Sequence, residues 1–403
     1  MKFTIKTLFF LSILLLFTQE ETNYEIIDKY INEIIDKSAP GKPYWNKEVI
    51  IGGKQCKWNY IDGCMTSSLI ELYKLTGDEK IYTFTKSYID YFVQDDGTIK
   101  DYNKDNYSTD DISEGRTLFS LYDISKEEKY RKAIDNIYEQ IKGQPRTKEG
   151  NFWHKKIYTN QVWLDGLYMA QPFYLTYETK FNNMKNYNDI ITQFKNVRKL
   201  MFDKNKKLYY HGYDSSKSIF WADPETGLSK NFWLRAIGWY TVALADCAEI
   251  INKEKYEDYK VFADLLKEIV DSLLTYQDPK TKMFYQVVDK GSLEGNYVET
   301  SGSAMIAYSI LKGARLGILS EDYYKIGLEI FDGICENELK EVDGELNLEG
   351  ICLVAGLGPE DNTRRDGSYE YYISEEVVAN DAKGVGAFVM AYIEILKYLK
   401  TKK

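Results

Sequence analysis

The residues best suited to chemistry are a few acids set among aromatics. Asp165 lies in Gln161-Val-Trp-Leu-Asp-Gly-Leu-Tyr-Met-Ala-Gln-Pro-Phe-Tyr-Leu-Thr-Tyr177, just after Trp163 and before an apolar, aromatic run. Leu167, Met169, Ala170, Phe173, Tyr174 and Tyr177 fit a buried helix, in which Pro172 must either produce a kink or be accommodated by packing. Asp165 then sits at the helix start, where unpaired backbone N–H groups favour negative charge. Two roles fit it: an N-cap worth about 1 kcal/mol, or the reacting acid of an active site.

A second acid follows from Tyr107-Ser-Thr-Asp-Asp-Ile-Ser-Glu-Gly-Arg-Thr-Leu118. Asp111 with Glu114 reads as a capping box opening a helix through Leu121, which leaves Asp110 available to line a cleft. Downstream, Phe152-Trp-His-Lys-Lys156 brings the His154 imidazole and the Lys155 cation close to Asp165 in sequence. The only other histidine, His211, lies in Leu208-Tyr-Tyr-His-Gly-Tyr213. Arg235 and Trp239 are four apart in the helical stretch from Asn231 to Leu244, so they share a face. A guanidinium on an apolar helix needs a partner, because burying its charge alone is expensive. That partner is either a structural Asp or Glu, or the carboxylate of an acidic ligand gripped by the forked donors. Trp163, Trp58 and Tyr60 are further candidates, for an aromatic wall that stacks on sugar rings; core filling is the competing role.

These groups must be carried by helices, and a repeat shows how. Helical stretches end in a short polar turn and a tyrosine at Leu75–Tyr82, Ile124–Tyr130, Phe181–Tyr187, Ile251–Tyr256 and Leu319–Tyr324. The spacing of roughly 50–70 residues accommodates two helices and two connections per unit. A second phrase falls between them, a turn followed by aromatic or apolar residues: Asp96–Ile99, Glu149–Trp153, Lys204–Tyr209, Lys280–Tyr285 and Asp343–Leu346. Nearly all the unusual chemistry sits in or just after this phrase, which places it on the longer loops at one end of a stack of hairpins. The predicted architecture is all-α, about six helical hairpins closed into a toroid, with an open α-solenoid as the alternative. Gly238, Gly302, Gly313, Gly384 and Gly386 favour closure, by allowing bulky inner helices to approach.

Residues 1–20 carry two lysines and an apolar run from Leu8 to Phe17, too short for a bilayer and suited to a secretory signal. Residues 21–403 lack an internal linker and read as a single secreted catalytic domain. The net charge of −10 argues against nucleic acid and anionic membranes as partners, and against an external grip on a long acidic polymer. A small anion can still bind a local basic pocket. Cys56, Cys64, Cys247, Cys335 and Cys352 are odd in number, so at least one stays free or pairs between chains; Cys56 with Cys64 and Cys335 with Cys352 are nearest in sequence. With little histidine and no CxxC, no metal site is expected, and no other cofactor is implied. Asn106-Tyr-Ser108 is an N-glycosylation sequon close to Asp110.

Several long phrases, in order, resemble glycoside hydrolase family 105: RTKEGNFWHKK (146–156), QVWLDGLYMAQPF (161–173), YHGY (210–213), WADPETGLS (221–229), FWLRAIGWY (232–240) and RDGSYEYYISE (365–375). The resemblance covers nearly the whole mature chain and implies an (α/α)6 barrel. It implies a hydrolase that hydrates the carbon 4 to carbon 5 double bond of a terminal unsaturated uronic acid on short pectin fragments. An unsaturated glucuronyl substrate, from ulvan, arabinogalactan or glycosaminoglycan, is the alternative within that chemistry. A silent sugar-binding toroid is the alternative outside it. By resemblance Asp165 is the general acid/base and Asp110 the second carboxylate. His211, Arg235 and Trp239 surround the unsaturated sugar, with His154 and Lys155 on a loop beside it. Asp165 must begin protonated, so its pKa is expected above the ordinary value of about 3.9, through burial or the charge of Asp110. The expected partner is therefore a small acidic oligosaccharide.

Overall fold

The structure, a computed structural model, describes residues 24–402. The expected leader at residues 1–20 lies outside the described residues. The helices are α1 (residues 24–36), α2 (Lys47–Ile51), α3 (Tyr60–Thr76), α4 (Glu79–Asp90), α5 (Thr109–Glu114), α6 (Arg116–Ser125), α7 (Glu128–Gly143), α8 (Leu164–Phe181), α9 (Tyr187–Met201), α10 (Leu234–Ile250), α11 (Tyr256–Leu273), α12 (Thr300–Arg315), α13 (Asp322–Glu338), α14 (Tyr369–Ile373) and α15 (Ala382–Lys402).

Each of α3, α8, α10, α12 and α15 packs against its neighbour in that order, with α5 and α6 filling the place between α3 and α8. The circle closes where α15 meets α3. Outside it, α4, α7, α9, α11 and α13 each pack against the inner helix that precedes them. The sixth outer helix, α1, lies on α15, with Tyr392 Oη donating to Asp28 at 3.1 Å and the Tyr30 ring edge-on to Phe388. The result is an (α/α)6 toroid.

The division follows from side-chain pattern. α10 and α12 are buried almost all round, as inner helices must be, whereas α7 and α11 bury one stripe and show a charged face to solvent. Close approach at two junctions requires the absence of a side chain. A β-carbon at Gly302 would lie 2.4 Å from Leu234, where α12 crosses α10, and one at Gly386 would lie 2.6 Å from the Cys64 carbonyl, where α15 closes on α3. Gly238 sits in the first junction against Met305, but Gly384 faces Ile351 and Gly313 faces Leu319, so these last two serve loop packing rather than inner-helix contact. Pro172 lies inside α8 without interrupting it.

The five polar turns join each inner helix to the next outer one, at one end of the toroid. The five turn–aromatic phrases follow the outer helices and occupy the other end. That loop end carries short antiparallel ladders: β1 (Gln161–Trp163) with β4 (Gly212–Asp214), β2 (Phe202–Asp203) with β3 (Leu208–Tyr209), β5 (Leu339–Val342) with β6 (Glu345–Leu348), and β7 (Ile351–Cys352) with β8 (Val377–Val378). All five cysteines are free thiols, so neither sequence-adjacent pair is bridged. Among the described residues no helix is long and apolar enough to cross a membrane.

Candidate active site

The β1–β4 ladder brings the principal residues together. Trp163 pairs with Gly212, and the next amide, Leu164 N–H, donates to the His211 carbonyl at 3.0 Å. Asp165 and His211, far apart in sequence, are thereby set side by side, with His211 Nε2 at 3.2 Å from Asp165 Oδ2. Although close, the two atoms are not aligned as donor and acceptor, and both are buried without a hydrogen-bond partner among the described residues. Asp165 is not an N-cap. Trp163 occupies that position, Asp165 lies in the first turn, and no side chain caps α8. Other buried side-chain atoms among the described residues also lack partners; this pair is set apart because its two unpartnered atoms, an acid oxygen and an imidazole nitrogen, face each other.

The other side of His211 is fixed by Tyr372 on α14, whose hydroxyl lies 2.7 Å from Nδ1. A parallel arrangement holds the second carboxylate. His154 N–H donates to the Gln161 carbonyl, and Thr109 N–H donates to the His154 carbonyl, so the 152–156 loop is stitched between β1 and α5. Lys155 Nζ then reaches Asp110 Oδ2 at 2.5 Å, and His154 Nε2 stands 3.4 Å from Oδ1. Trp163 stacks on His154 with centroids 4.3 Å apart and meets His211 edge-on, joining the two halves of the site. On the floor, Trp239 stacks on Tyr168 at 4.2 Å, with Tyr60 edge-on to it.

Electrostatics correct one expectation. Burial raises the Asp165 carboxyl, but the charge and proximity of His211, then His154, outweigh it and hold the group below its ordinary value. The carboxyl that is raised is the neighbour of Asp110: burial, then the charge of Asp110, pushes Asp111 up to about 7. Burial brings His154 down to about 4 despite Asp110 opposite it, so this imidazole is neutral at pH 7. Lys155 moves the other way, since Asp110 outweighs the cost of burial.

Two further expectations are corrected by placement. Asp111 and Glu114 form no capping box: Ser108 is the N-cap of α5, the helix stops at Gly115, and Glu114 Oε2 instead accepts from Asn59 N–H at 2.5 Å. Trp58 is core rather than wall; its ring packs edge-on to Phe92 and its indole N–H donates to the Asp111 carbonyl at 2.8 Å, behind α5. For Arg235 the structure supplies a structural carboxylate. Nε donates to Ser301 Oγ at 2.7 Å, and Nη2 faces Glu299 at 3.5 Å and the Cys352 carbonyl. Glu299, Tyr372 and Thr109 were not singled out from the sequence. Tyr372 lies inside the RDGSYEYYISE phrase, which is the one signal that could have found it.

A family model described as Glycosyl Hydrolase Family 88 matches residues 26–399. The chain belongs to the family 88/105 glycosyl hydrolases. Among solved structures it is similar to the family 105 glycoside hydrolase of C. acetobutylicum ATCC 824, at 42% identity and a TM-score of 0.82, covering 86% of this chain and 97% of that one. An unsaturated glucuronyl hydrolase specific for heparin shares the fold at 15% identity and a TM-score of 0.67, covering 94% and 97%. Protein Atu3128 of Agrobacterium fabrum is 37% identical over 236 residues, 57% of this chain and 98% of that protein. The glycosyl hydrolase fold thus accounts for the closed ring, and the loop end of that ring carries the paired acids.

Proposed function

We propose that this glycosyl hydrolase hydrates the carbon 4 to carbon 5 double bond of an unsaturated galacturonic acid at the non-reducing end of short rhamnogalacturonan fragments. The observation that supports it most is the Asp165–His211 pair, two buried polar atoms 3.2 Å apart without aligned partners. In this reading Asp165 hands a proton to carbon 4 while positive charge develops at carbon 5 and the ring oxygen. Asp165 then takes a proton from the water that attacks carbon 5. The resulting hemiketal opens and releases the neighbouring sugar, with no covalent intermediate and no metal. Protonation at carbon distinguishes this route from the two-carboxylate scheme, in which the glycosidic oxygen is protonated.

The lowered Asp165 carboxyl sets a condition on that scheme. An anionic sugar docking beside it raises its affinity for a proton, so the substrate's own carboxylate helps to load the acid. His211, held by Tyr372, is close enough to supply that proton. Asp110, His154 and Lys155 form the second wall, Trp239 the floor beneath the sugar ring, and Trp163 the link between them. Tyr60 lies beside the floor, and Arg235 acts from behind it, through charge. In this reading residues 1–20 are a secretory leader and the enzyme acts outside the cytoplasm.

The test is Asp165→Asn. Positioned proton transfer contributes roughly 10²–10⁴-fold, so the variant should fold normally and lose most of the ultraviolet absorbance decrease that reports consumption of an unsaturated disaccharide. Wild-type rates from the variant would remove Asp165 from the chemistry. Comparing galacturonyl with glucuronyl substrates decides between the two sugars, and turnover of neither by the wild type would favour a sugar-binding toroid.

A further inference from the structure

Beside the site the loop end opens into a cavity of about 690 Å³, lined by Asn59 and Ile61 from the start of α3, by residues of α2 and the segment after it, and by Leu353, Val354 and Arg365. The cations on its wall are Lys54, Lys57 and Arg365, and its only acid is Glu48. Glu48 is already matched, since Lys383 Nζ lies 2.8 Å from its carboxylate. None of the three cations has an ion-pair partner among the described residues. What sets them apart from other unpaired surface cations is that the three line one concave wall, in a chain of net charge −10.

The cavity borders the site. A β-carbon at Gly356 would touch both Arg365 Nη1, at 3.3 Å, and the Trp163 ring, at 3.4 Å, so Arg365 and the tryptophan between the two acids flank one glycine. Tyr60, between lining residues Asn59 and Ile61, feels the charges of Glu48, Asp110 and Arg235. On the far side of α2 a second cleft, of about 580 Å³, shares Val49, Lys54 and Gln55 with the first. Its wall adds Lys37, Lys42 and Lys100 and no acid. Lys37 is matched by Glu345 and Lys100 by the Tyr91 hydroxyl, which leaves Lys42 and the shared Lys54 unmatched. Concave walls carrying one sign of charge focus the field and concentrate ions of the other sign.

We propose that this cavity is a subsite for a second acidic sugar, one whose carboxylate is held by Lys54, Lys57 and Arg365 beyond the bond that is cleaved. The proposal rests on the uronyl-hydrolase reading and deepens it. The substrate is then an oligosaccharide with acidic residues on both sides of the scissile bond, rather than a disaccharide with a neutral leaving sugar. The cationic cleft also revises what the overall charge implies: the chain as a whole repels polyanions, while this edge attracts a short one.

Two substrates test it. One is the unsaturated galacturonyl-rhamnose disaccharide, with no charge past the scissile bond; the other is the tetrasaccharide that adds a galacturonate and a rhamnose. At low salt the wild type should show a KM for the tetrasaccharide about tenfold below that for the disaccharide, and 0.5 M NaCl should close the gap, since exposed charges are screened over a few ångströms there. Lys54→Met with Lys57→Met should leave disaccharide kcat and KM unchanged and abolish the tetrasaccharide advantage. No advantage in the wild type, an advantage that salt leaves intact, or equal losses on both substrates would overturn the subsite. If the wild type turns over neither substrate, the galacturonyl reading fails, and calorimetry with the saturated tetrasaccharide judges the cavity alone. Affinity that falls with salt and with the double substitution supports the subsite, and its absence rejects it.

Discussion

The two ends of the toroid handle buried charge in opposite ways. At the turn end, Asp246 on α10 receives Arg116 from α6, Lys312 Nζ at 2.8 Å from α12, and the Tyr308 hydroxyl at 2.6 Å. Lys312 also meets Glu249 at 2.6 Å, and Arg315 ties Glu249 to Glu394 of α15. Four inner helices are thus joined by a network in which every charge has at least one opposite neighbour. At the loop end, Asp165 Oδ2 and His211 Nε2 are equally buried and lack aligned partners. The turn-end network is thus saturated, whereas the loop end keeps one unaligned pair, Asp165 with His211, among others that are matched, such as Lys155 with Asp110.

Two substitutions of the same kind separate these roles most sharply. Asp165→Asn should cost activity and little stability, for the reasons given above. Asp246→Asn should do the reverse, because it leaves Arg116 and Lys312 buried without adequate countercharge. Breaking a buried pair from one side costs about 3–5 kcal/mol, so urea or thermal unfolding should show a large loss. Substrate turnover at low temperature should persist in whatever fraction stays folded. A stable Asp246→Asn protein would show that the turn-end network is not what holds the ring closed.

Acid should also reach the two ends at different pH. His154, neutral down to about 4 in the folded protein, is protonated near 6.5 when unfolded, so stability falls as pH drops from 6.5 to 4. The full effect is roughly 3 kcal/mol. Asp111, raised to about 7, has the opposite sign: its contribution is complete below about 3.9 and is lost as pH rises through 7. In the wild type the two offset each other. In Asp111→Asn the His154 effect stands alone, and melting temperature should fall between pH 6.5 and 4 more steeply than in the wild type. At the turn end, Glu249 is brought to about 2 by Lys312 and Arg315 against the effect of burial, and Asp246 is lowered in the same way. Their contributions persist above the ordinary carboxyl range and are lost only below it. Identical acid profiles for the wild type and Asp111→Asn would contradict the raised Asp111, and a flat profile in the variant between pH 6.5 and 4 would contradict the neutral His154.

What was legible in the sequence follows this division. The polar turns of one end and the turn–aromatic phrases of the other recur along the chain, because each hairpin repeats the same local problem of stopping a helix and starting another. Ring closure is not local, and only the glycines at α10, α12 and α15 hinted at it. Asp165, His211 and His154 lie in phrases shared with family 105, Asp110 is the acid left over at a helix start, and the structure brings the four together. What could not be read were partners chosen by closure of the ring. Glu299 meets Arg235 across the α10–α12 junction, Asn59 takes Glu114 out of its capping box, and Tyr372 rather than Tyr371 reaches His211. No local pattern distinguishes two adjacent tyrosines, one of which hydrogen-bonds a histidine on another hairpin.

Tyr372→Phe sharpens the contrast at smaller amplitude. Removing the hydroxyl from His211 Nδ1 deletes one hydrogen bond of a buried imidazole, worth about 0.5–1.5 kcal/mol. Because that bond orients the imbalanced pair rather than the fold, kcat should fall by about tenfold and the acid limb of the pH–rate profile should move, with KM little changed. A uniform loss of stability with an unshifted profile would make Tyr372 a packing residue.

The smallest effect belongs to a pair that resembles the Asp246 network in chemistry and differs in exposure. Lys180 Nζ lies 2.7 Å from Asp123 on the rim of the turn-end cleft, about as close as Lys312 lies to Asp246, yet its side chain is 37% exposed against 6% for Lys312. Water and salt screen the exposed pair, and ordering two long side chains offsets what attraction is left, so Lys180→Ala should change stability by about 0–1 kcal/mol. Lys312→Met, which removes a buried cation from between Asp246 and Glu249, should cost several times more by the same measurement. Equal costs would mean that burial is not what makes the turn end strong, and the distinction between a saturated end and an open one would then lose its physical basis.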